Sequence, residues 1–393
     1  MTRTYRHTMY ACFVGYFVQA IVNNFAPLLF LTFENQYGIS MERITFLVTF
    51  NFALQLVIDM LAAGFIDRIG YRAAAVLAHI FSSVGLLSLA ILPEVFPTPF
   101  SGLLTAVCIY AVGGGLIEVL ITPLASACPS DNQAGSISLL HSFYCWGHMA
   151  VVLISTLFFL CFGTARWQIL APIWAVVPAF NAWFFSRVPI PKIVPEGVTG
   201  MTVPQLLKSR LFWLLALLMR CAGASEQAVS QWASTFAEQG LRVTKTIGDL
   251  AGPMFFAFTM GVCRFLYSRL SDKLNLHRAI WLCALLCTGS YLMISLSPWP
   301  LLSLIGCGIC GFAVGIFWPG VSSLAAQILP AGGTAMYALL ALGGDLGCSA
   351  GPTLVGVSAD RLNGDLHMGI LCAILFPAVL LIGILRARKF SKS

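Results

Sequence analysis

Charge is what this chain has least of. Asp, Glu, Lys and Arg together make up 9% of its 393 residues, against about 25% in soluble domains. A water-soluble fold of this length could not cover its surface with so few charges, so the bilayer is the expected solvent for most of the exterior. No glycine-rich phosphate loop with its lysine is present, which argues against nucleotide hydrolysis by the chain alone. The Gly-x-Gly-x-x-Gly match, GCGICG at Gly306–Gly311, lies inside an apolar run rather than between a strand and a helix. It reads as helix packing, not dinucleotide binding. Cys307 and Cys310 within it have no two further ligands close by in sequence, as zinc would require. No catalytic constellation is evident, and neither an enzyme activity nor a cofactor is expected. The thirteen cysteines are spaced irregularly through apolar stretches. That excludes a disulfide framework and leaves them as small packing residues.

What the chain has instead is apolar length. Hydrophobic residues make up 59% and gather into runs of about 20 residues or more, each long enough to cross a bilayer. The runs predict twelve helices at roughly 8–33, 42–66, 71–92, 100–126, 134–163, 166–186, 210–238, 247–270, 277–296, 300–328, 332–360 and 364–387. The first run is too long for a signal-peptide core and lacks a clear small-residue cleavage site, so it reads as an uncleaved first span.

Basic residues set the orientation. With both termini cytoplasmic, fifteen Lys and Arg fall inside and five outside, while Arg220 and Arg264 lie within spans. This is the expected inward excess. The net charge of +7 then reflects topology, and the partners expected are the lipid bilayer and a small molecule, not nucleic acid. The most polar internal linker, VPIPKIVPEGVTGMTVPQLLK (Val188–Lys208), divides the chain into an N-terminal six-helix bundle (1–187), a cytoplasmic linker (188–208) and a C-terminal six-helix bundle (209–393).

The two blocks echo each other. GFIDRIGYR (Gly64–Arg72) joins the second and third spans, and SRLSDKLNLHR (Ser268–Arg278) joins the eighth and ninth. Aligning Asp67 with Asp272 also aligns Arg68 with Lys273. GFIDRIGYR resembles the loop between the second and third helices of the major facilitator superfamily, with Gly64, Asp67, Arg68, Gly70 and Arg72 at the matching positions. The resemblance extends over nearly the whole chain. It implies an all-α membrane protein of twelve transmembrane helices in two pseudo-symmetric six-helix bundles, a transporter that rocks about a central site. In that family the loop motif stabilises the outward-open state.

Six charged residues lie well inside spans: Asp59, Glu118, Arg220, Glu226, Arg264 and Asp345. An intramembrane charge costs several kcal/mol unless it is paired, hydrated or neutralised, and such residues normally face a bundle interior or a wet cavity. Glu118 is therefore expected to line a water-accessible path. Gly113, Gly114 and Gly115 precede it and allow another backbone to approach. Pro123 follows and is expected to interrupt the helix near Val119–Leu120. Gly113, Gly115, Glu118 and Pro123 together resemble the fourth helix of the fucose permease branch, whose glutamate takes part in proton-coupled sugar binding. In the seventh span, Glu226 and Ser230 share a face, with Gln227 and Gln231 stacked beside them and Trp232 next. Amides and carboxylates suit sugar hydroxyls and an indole suits the C–H face of a ring. The alternative for this stripe is polar contact between helices.

Gln19, Asn23 and Asn24 in the first span, His141 and Tyr144 in the fifth, Trp318 in the tenth and Asp345 in the eleventh complete the candidate substrate site. The fucose permease branch carries an aspartate just after its paired asparagines. Here Phe25, Ala26 and Pro27 follow instead, a departure that leaves three alternatives for coupling beside Glu118: Glu226 as the second carboxylate, Asp345 in its place, or no coupling. Asp59 and Arg264 each lie eight residues before Asp67 and Asp272, about 12 Å along a helix. They are expected to join Gly64, Asp67, Arg68, Gly70, Arg72 and Asp272 in a gating network between the bundles. Gly343, Gly347 and Gly351 recur every four residues, a face suited to close helix contact. The sequence thus predicts a monomeric secondary transporter of a small polar solute, a sugar or sugar derivative, in a bacterial inner membrane, with protons as the candidate coupling ion. Export of amphipathic compounds and an organic-anion carrier using Arg220 and Arg264 remain the alternatives.

Overall fold

The computed structural model describes residues 4–129, 133–191, 201–270, 275–329 and 332–390, and these are almost wholly helical, with no strand among them. A bilayer enforces this, since helices satisfy every backbone N–H and C=O within the segment. Eleven helical stretches are long and apolar enough to cross a membrane: Tyr5–Tyr37, Met41–Leu61, Tyr71–Val95, Pro99–Ala125, Leu139–Phe162, Thr164–Arg187, Lys245–Tyr267, Leu276–Leu296, Pro300–Ala325, Met336–Arg361 and Leu366–Ala387. The remaining expected span, the seventh, is the helix Arg210–Ser230. Its Arg220, Ser225, Glu226, Gln227 and Ser230 make it more polar than the others. The protein is an all-α integral membrane protein.

The chain divides into two compact units, Met1–Val194 and Pro195–Ser393. In the first, the third span (Tyr71–Val95) packs against the fourth (Pro99–Ala127) and the sixth (Trp167–Arg187). In the second, the seventh span packs along the eleventh (Gly333–Arg361). The small-residue face forms that contact. A Cβ on Gly347 would lie 2.0 Å from the Arg220 carbonyl oxygen, and one on Gly351 2.3 Å from that of Ala224. The glycines of GCGICG serve the same end, with a Cβ on Gly311 falling 2.2 Å from the carbonyl oxygen of Phe256 in the eighth span.

Several spans are broken at depth. The first runs helically over Tyr5–Asn24, turns through a 3-10 segment at Ala26–Leu29 and resumes at Phe30–Tyr37. Pro27 lies in that turn, where its missing N–H is tolerated. The seventh ends its regular helix at Ser230, turns at Gln231 and Trp232, and continues through Ala233–Thr235 into a π-helical turn at Phe236–Gly240. The two breaks fall at matching places, after helices of 20 and 21 residues. The eighth span contains a second π-helical turn, Leu250–Met254, between Lys245–Asp249 and Phe255–Leu270. The tenth breaks between Pro300–Val314 and Phe317–Ile328. The fourth span departs from expectation: Pro99–Ala127 is one continuous helix with Pro123 inside it. Pro123 has no N–H to give the Val119 carbonyl, yet the helix continues through it for one more turn to Ala127.

Candidate functional site

Polar side chains from three spans meet in the first unit. Gln19 and Asn23 lie one turn apart on the first span, Asn51 and Gln55 one turn apart on the second (Met41–Ile69), and Glu118 on the fourth. The Gln19 Nε2 donates to Glu118 Oε2 at 2.8 Å and to Gln55 Oε1 at 3.2 Å. The Gln55 Nε2 in turn donates to Asn23 Oδ1 at 2.9 Å and Asn51 Oδ1 at 3.0 Å. All four amides are buried and Glu118 is half-buried. The glycine run makes room for them, since a Cβ on Gly114 would lie 3.1 Å from the Gln55 carboxamide carbon. Asn51 and Gln55 went unremarked in the sequence. The signal was available: two amides four residues apart in an apolar run, the same pattern as Gln19 and Asn23.

The fifth span (Gln133–Phe162) closes on this group. The Asn24 Nδ2 donates to the Ala20 carbonyl at 2.9 Å and to the Tyr144 hydroxyl at 3.2 Å. Tyr16 shares a 2.8 Å hydroxyl bond with Thr122, one turn beyond Glu118, and its ring lies 5.1 Å from that of His141. His79 has a different role. Its Nδ1 lies 2.7 Å from the Ala75 carbonyl and its Nε2 2.8 Å from Asn181 Nδ2. An amide N–H must donate there, so the imidazole is neutral with its proton on Nδ1. It ties the third span to the sixth.

The second unit pairs charges instead of amides. Arg264 Nη2 lies 3.3 Å from Glu226 Oε2, and both side chains are buried. The Gln227 Nε2 donates to Glu226 Oε1 at 3.3 Å and the Gln231 Nε2 to Gln227 Oε1 at 3.0 Å, so the expected stripe is a continuous chain. Ser230 lies buried within it. A Cβ on Gly223 would meet the Gly344 carbonyl oxygen at 2.3 Å, and one on Gly344 would meet the Trp318 ring at 2.3 Å. Trp318 and the buried Asp345 therefore flank the seventh span. Trp232 differs from expectation. Its indole is fully buried and donates to the Pro352 carbonyl at 2.9 Å, leaving no face open to stack on a solute in this state. Arg220 is exposed, while Arg264 is engaged by Glu226.

A further polar group joins the seventh and eighth spans. Lys245 Nζ lies 3.1 Å from Glu238 Oε1 and 3.3 Å from Asp249 Oδ2, and Ser234 hydrogen-bonds Asp249. Asp249 is fully buried, while Lys245 and Glu238 are half-buried. Lys245, one of the five cations expected outside, opens the short helix between the two π-helical turns.

Of the residues expected to act in gating, Asp59 is half-buried and Arg68 exposed. Gly70 ends the second span at φ 81°, ψ 150°, a region essentially confined to glycine. Arg72 Nη1 donates to the carbonyls of Phe185 at 3.2 Å and Ser186 at 3.0 Å, tying the start of the third span to the end of the sixth. Asp272, the surroundings of Gly64 and the side chain of Asp67 lie outside the described residues.

No curated protein matches the chain. Three solved structures are similar to it in fold. The E. coli fucose:proton symporter FucP is 15% identical with a TM-score of 0.68, over 98% of this chain and 99% of that one. A D-xylose-proton symporter is 14% identical with a TM-score of 0.75, over 98% and 97%. A bacterial homolog of the human lysosomal transporter Spinster, inward-facing and occupied, is 14% identical with a TM-score of 0.76, over 99% and 98%. The sequence profile of the Major Facilitator Superfamily matches residues 11–352, most of the chain and all the polar constellations above, and the protein belongs to that superfamily.

Proposed function

We propose that this chain is a secondary active transporter of a small polar solute, a sugar or sugar derivative, working by alternating access and coupled to protons. Superfamily membership makes it a membrane transporter rather than an enzyme. The substrate class rests on one observation above all: the amide–carboxylate network around Glu118 within an otherwise apolar unit. Sugar hydroxyls both donate and accept, and so do carboxamides. In this reading Gln19, Asn23, Asn24, Glu118, His141 and Tyr144 serve the solute from the first unit, and Glu226, Gln227, Ser230, Gln231, Trp318 and Asp345 from the second. Glu118 carries the proton with Glu226 beside it in function. Asp59, Arg68, Gly70, Arg72 and Arg264 act in gating. The six-helix blocks 1–187 and 209–393, joined by 188–208, are the moving bodies. A monomer in a bacterial inner membrane with both termini cytoplasmic completes the proposal.

Similar folds carry fucose:proton and D-xylose-proton symporters, so L-fucose and D-xylose are the first probes. The full chain in proteoliposomes is expected to accumulate one of them under an imposed proton gradient, and Glu118→Gln to abolish accumulation. Thermal stabilisation by lipophilic cations with none by sugars would replace this reading with export of amphipathic compounds. The Glu226–Arg264 pair and the exposure of Arg220 weigh against an anion clamp.

A further inference from the structure

The hydrogen bonds around Glu118 have a direction. An ionised carboxylate only accepts, so Gln19 must turn its Nε2 toward Glu118 Oε2, at 2.8 Å. The same Nε2 bonds Gln55 Oε1. That fixes the Gln55 amide with its Nε2 toward the second and first spans, where the oxygens of Asn51 and Asn23 receive it. The amides thus point the same way along the chain, each Nε2 toward the oxygen of the next group. The Gln19 Oε1, on a side chain that is 1% exposed, has no hydrogen-bond partner among the described residues.

A proton on Glu118 Oε2 reverses the requirement. The new O–H must donate, and it meets an N–H at Gln19. Rotation of the Gln19 amide presents Oε1 to Glu118, and Gln55 must then turn its own Nε2 toward Gln19. Asn23 and Asn51 in turn must offer Nδ2 where they offered Oδ1. Hydronium supplies the proton: one of its O–H bonds breaks as the carboxyl O–H forms, water is released, and each amide keeps its contacts with donor and acceptor exchanged. We infer that Gln55 is a polarity relay, passing the protonation state of Glu118 to the amides of Asn23 and Asn51. Neither Gln55 nor Asn51 touches Glu118 in the network, so Gln55 is a positioning residue. The inference rests on the transporter reading in one respect: the groups that meet Asn23 and Asn51 are taken to be solute hydroxyls. Titratable side chains on the spans packed around Glu118 include Tyr16, bonded to Thr122; Asp59, one turn from Gln55; His79, held by Ala75 and Asn181; His141, against Tyr16; Tyr144, bonded to Asn24; and His148, against Tyr144.

The test uses the full chain in lipid nanodiscs with 15N-labelled asparagine and glutamine side chains. Infrared difference spectra between mildly acidic and mildly alkaline buffer report the Glu118 carboxyl band and the amide bands together. In the unaltered protein both change over the same pH range. In Gln55→Met the carboxyl band still titrates and the amide response collapses. In Glu118→Gln the amide bands keep one pattern at every pH. Amide bands that ignore Glu118 titration, or that follow it undiminished in Gln55→Met, overturn the relay. Should Gln55→Met fail to fold, a pH response of the amides surviving in Glu118→Gln overturns it as well. The second arm measures L-fucose and D-xylose binding. Affinity is expected to differ about tenfold between the two buffers, the worth of one inverted hydrogen bond, and the difference to vanish in Gln55→Met. If neither sugar binds, that counts against the sugar-substrate reading, while the infrared arm still decides the relay.

Discussion

Breaking the Glu226–Arg264 pair gives the sharpest energetic test of the second unit. The groups are 3.3 Å apart with side-chain exposures of 6% and 8%. At an effective dielectric of about 20, that separation corresponds to about 5 kcal/mol of attraction. Desolvation offsets much of this while the pair is intact, but removing one partner strands the other in apolar surroundings and costs about 3–5 kcal/mol. Arg264→Met should therefore destabilise the protein by about that amount. Glu226→Gln should cost less, because the carboxamide oxygen can still accept from the guanidinium. The double variant should recover at least about 2 kcal/mol relative to the sum of the singles, the signature of direct coupling. Reversible denaturant unfolding in mixed micelles, read by helical circular dichroism, supplies all three values. A loss below about 1 kcal/mol in Arg264→Met, the range of solvent-exposed pairs, would refute the picture of a dry, engaged ion pair.

Three further outcomes follow from named contacts. Gly70→Ala forces a Cβ onto φ 81° and should cost about 1–3 kcal/mol in the same unfolding measurement. Gly347→Leu meets the Arg220 carbonyl, already 2.0 Å from where a Cβ would begin. It should sharply lower the yield of monodisperse protein in size-exclusion chromatography, whereas leucine at the half-buried Gly364, where no atom lies within 4 Å, should leave the elution profile monodisperse even though its φ of 82° strains the turn. Lys245→Met leaves Glu238 and the fully buried Asp249 without their shared cation and should destabilise by about 3–5 kcal/mol. Lys245→Met with Asp249→Asn should regain part of that loss in melting temperature.

The spans were legible because a bilayer imposes one simple rule, a sustained apolar run, and charges and prolines mark where each run ends. The interior chemistry was legible in part. Glu118 and Glu226 announced themselves because a carboxylate is rare at depth, and the Gly343, Gly347 and Gly351 face because its period is that of a helix. Asn51 and Gln55 did not, since single amides cost too little to stand out in a hydrophobic run. Trp232 illustrates a second limit. Its neighbours place it on a polar stripe, but the turn at Gln231 rotates it off that stripe into packing against Pro352. The π-helical turns on either side of Lys245–Asp249 and the unbroken helix through Pro123 are likewise decided by tertiary packing, which no local pattern encodes.

The matching breaks of the first and seventh spans, after 20 and 21 residues, have an evolutionary meaning. If one ancestral half was duplicated, the kink is the inherited trait and the side chains around it are the later departures. One copy surrounds its glutamate with carboxamides and the other sets its glutamate against an arginine, so the duplicates share a skeleton while differing in chemistry. The side chains around the break can then change in either copy without rebuilding the bend that both received.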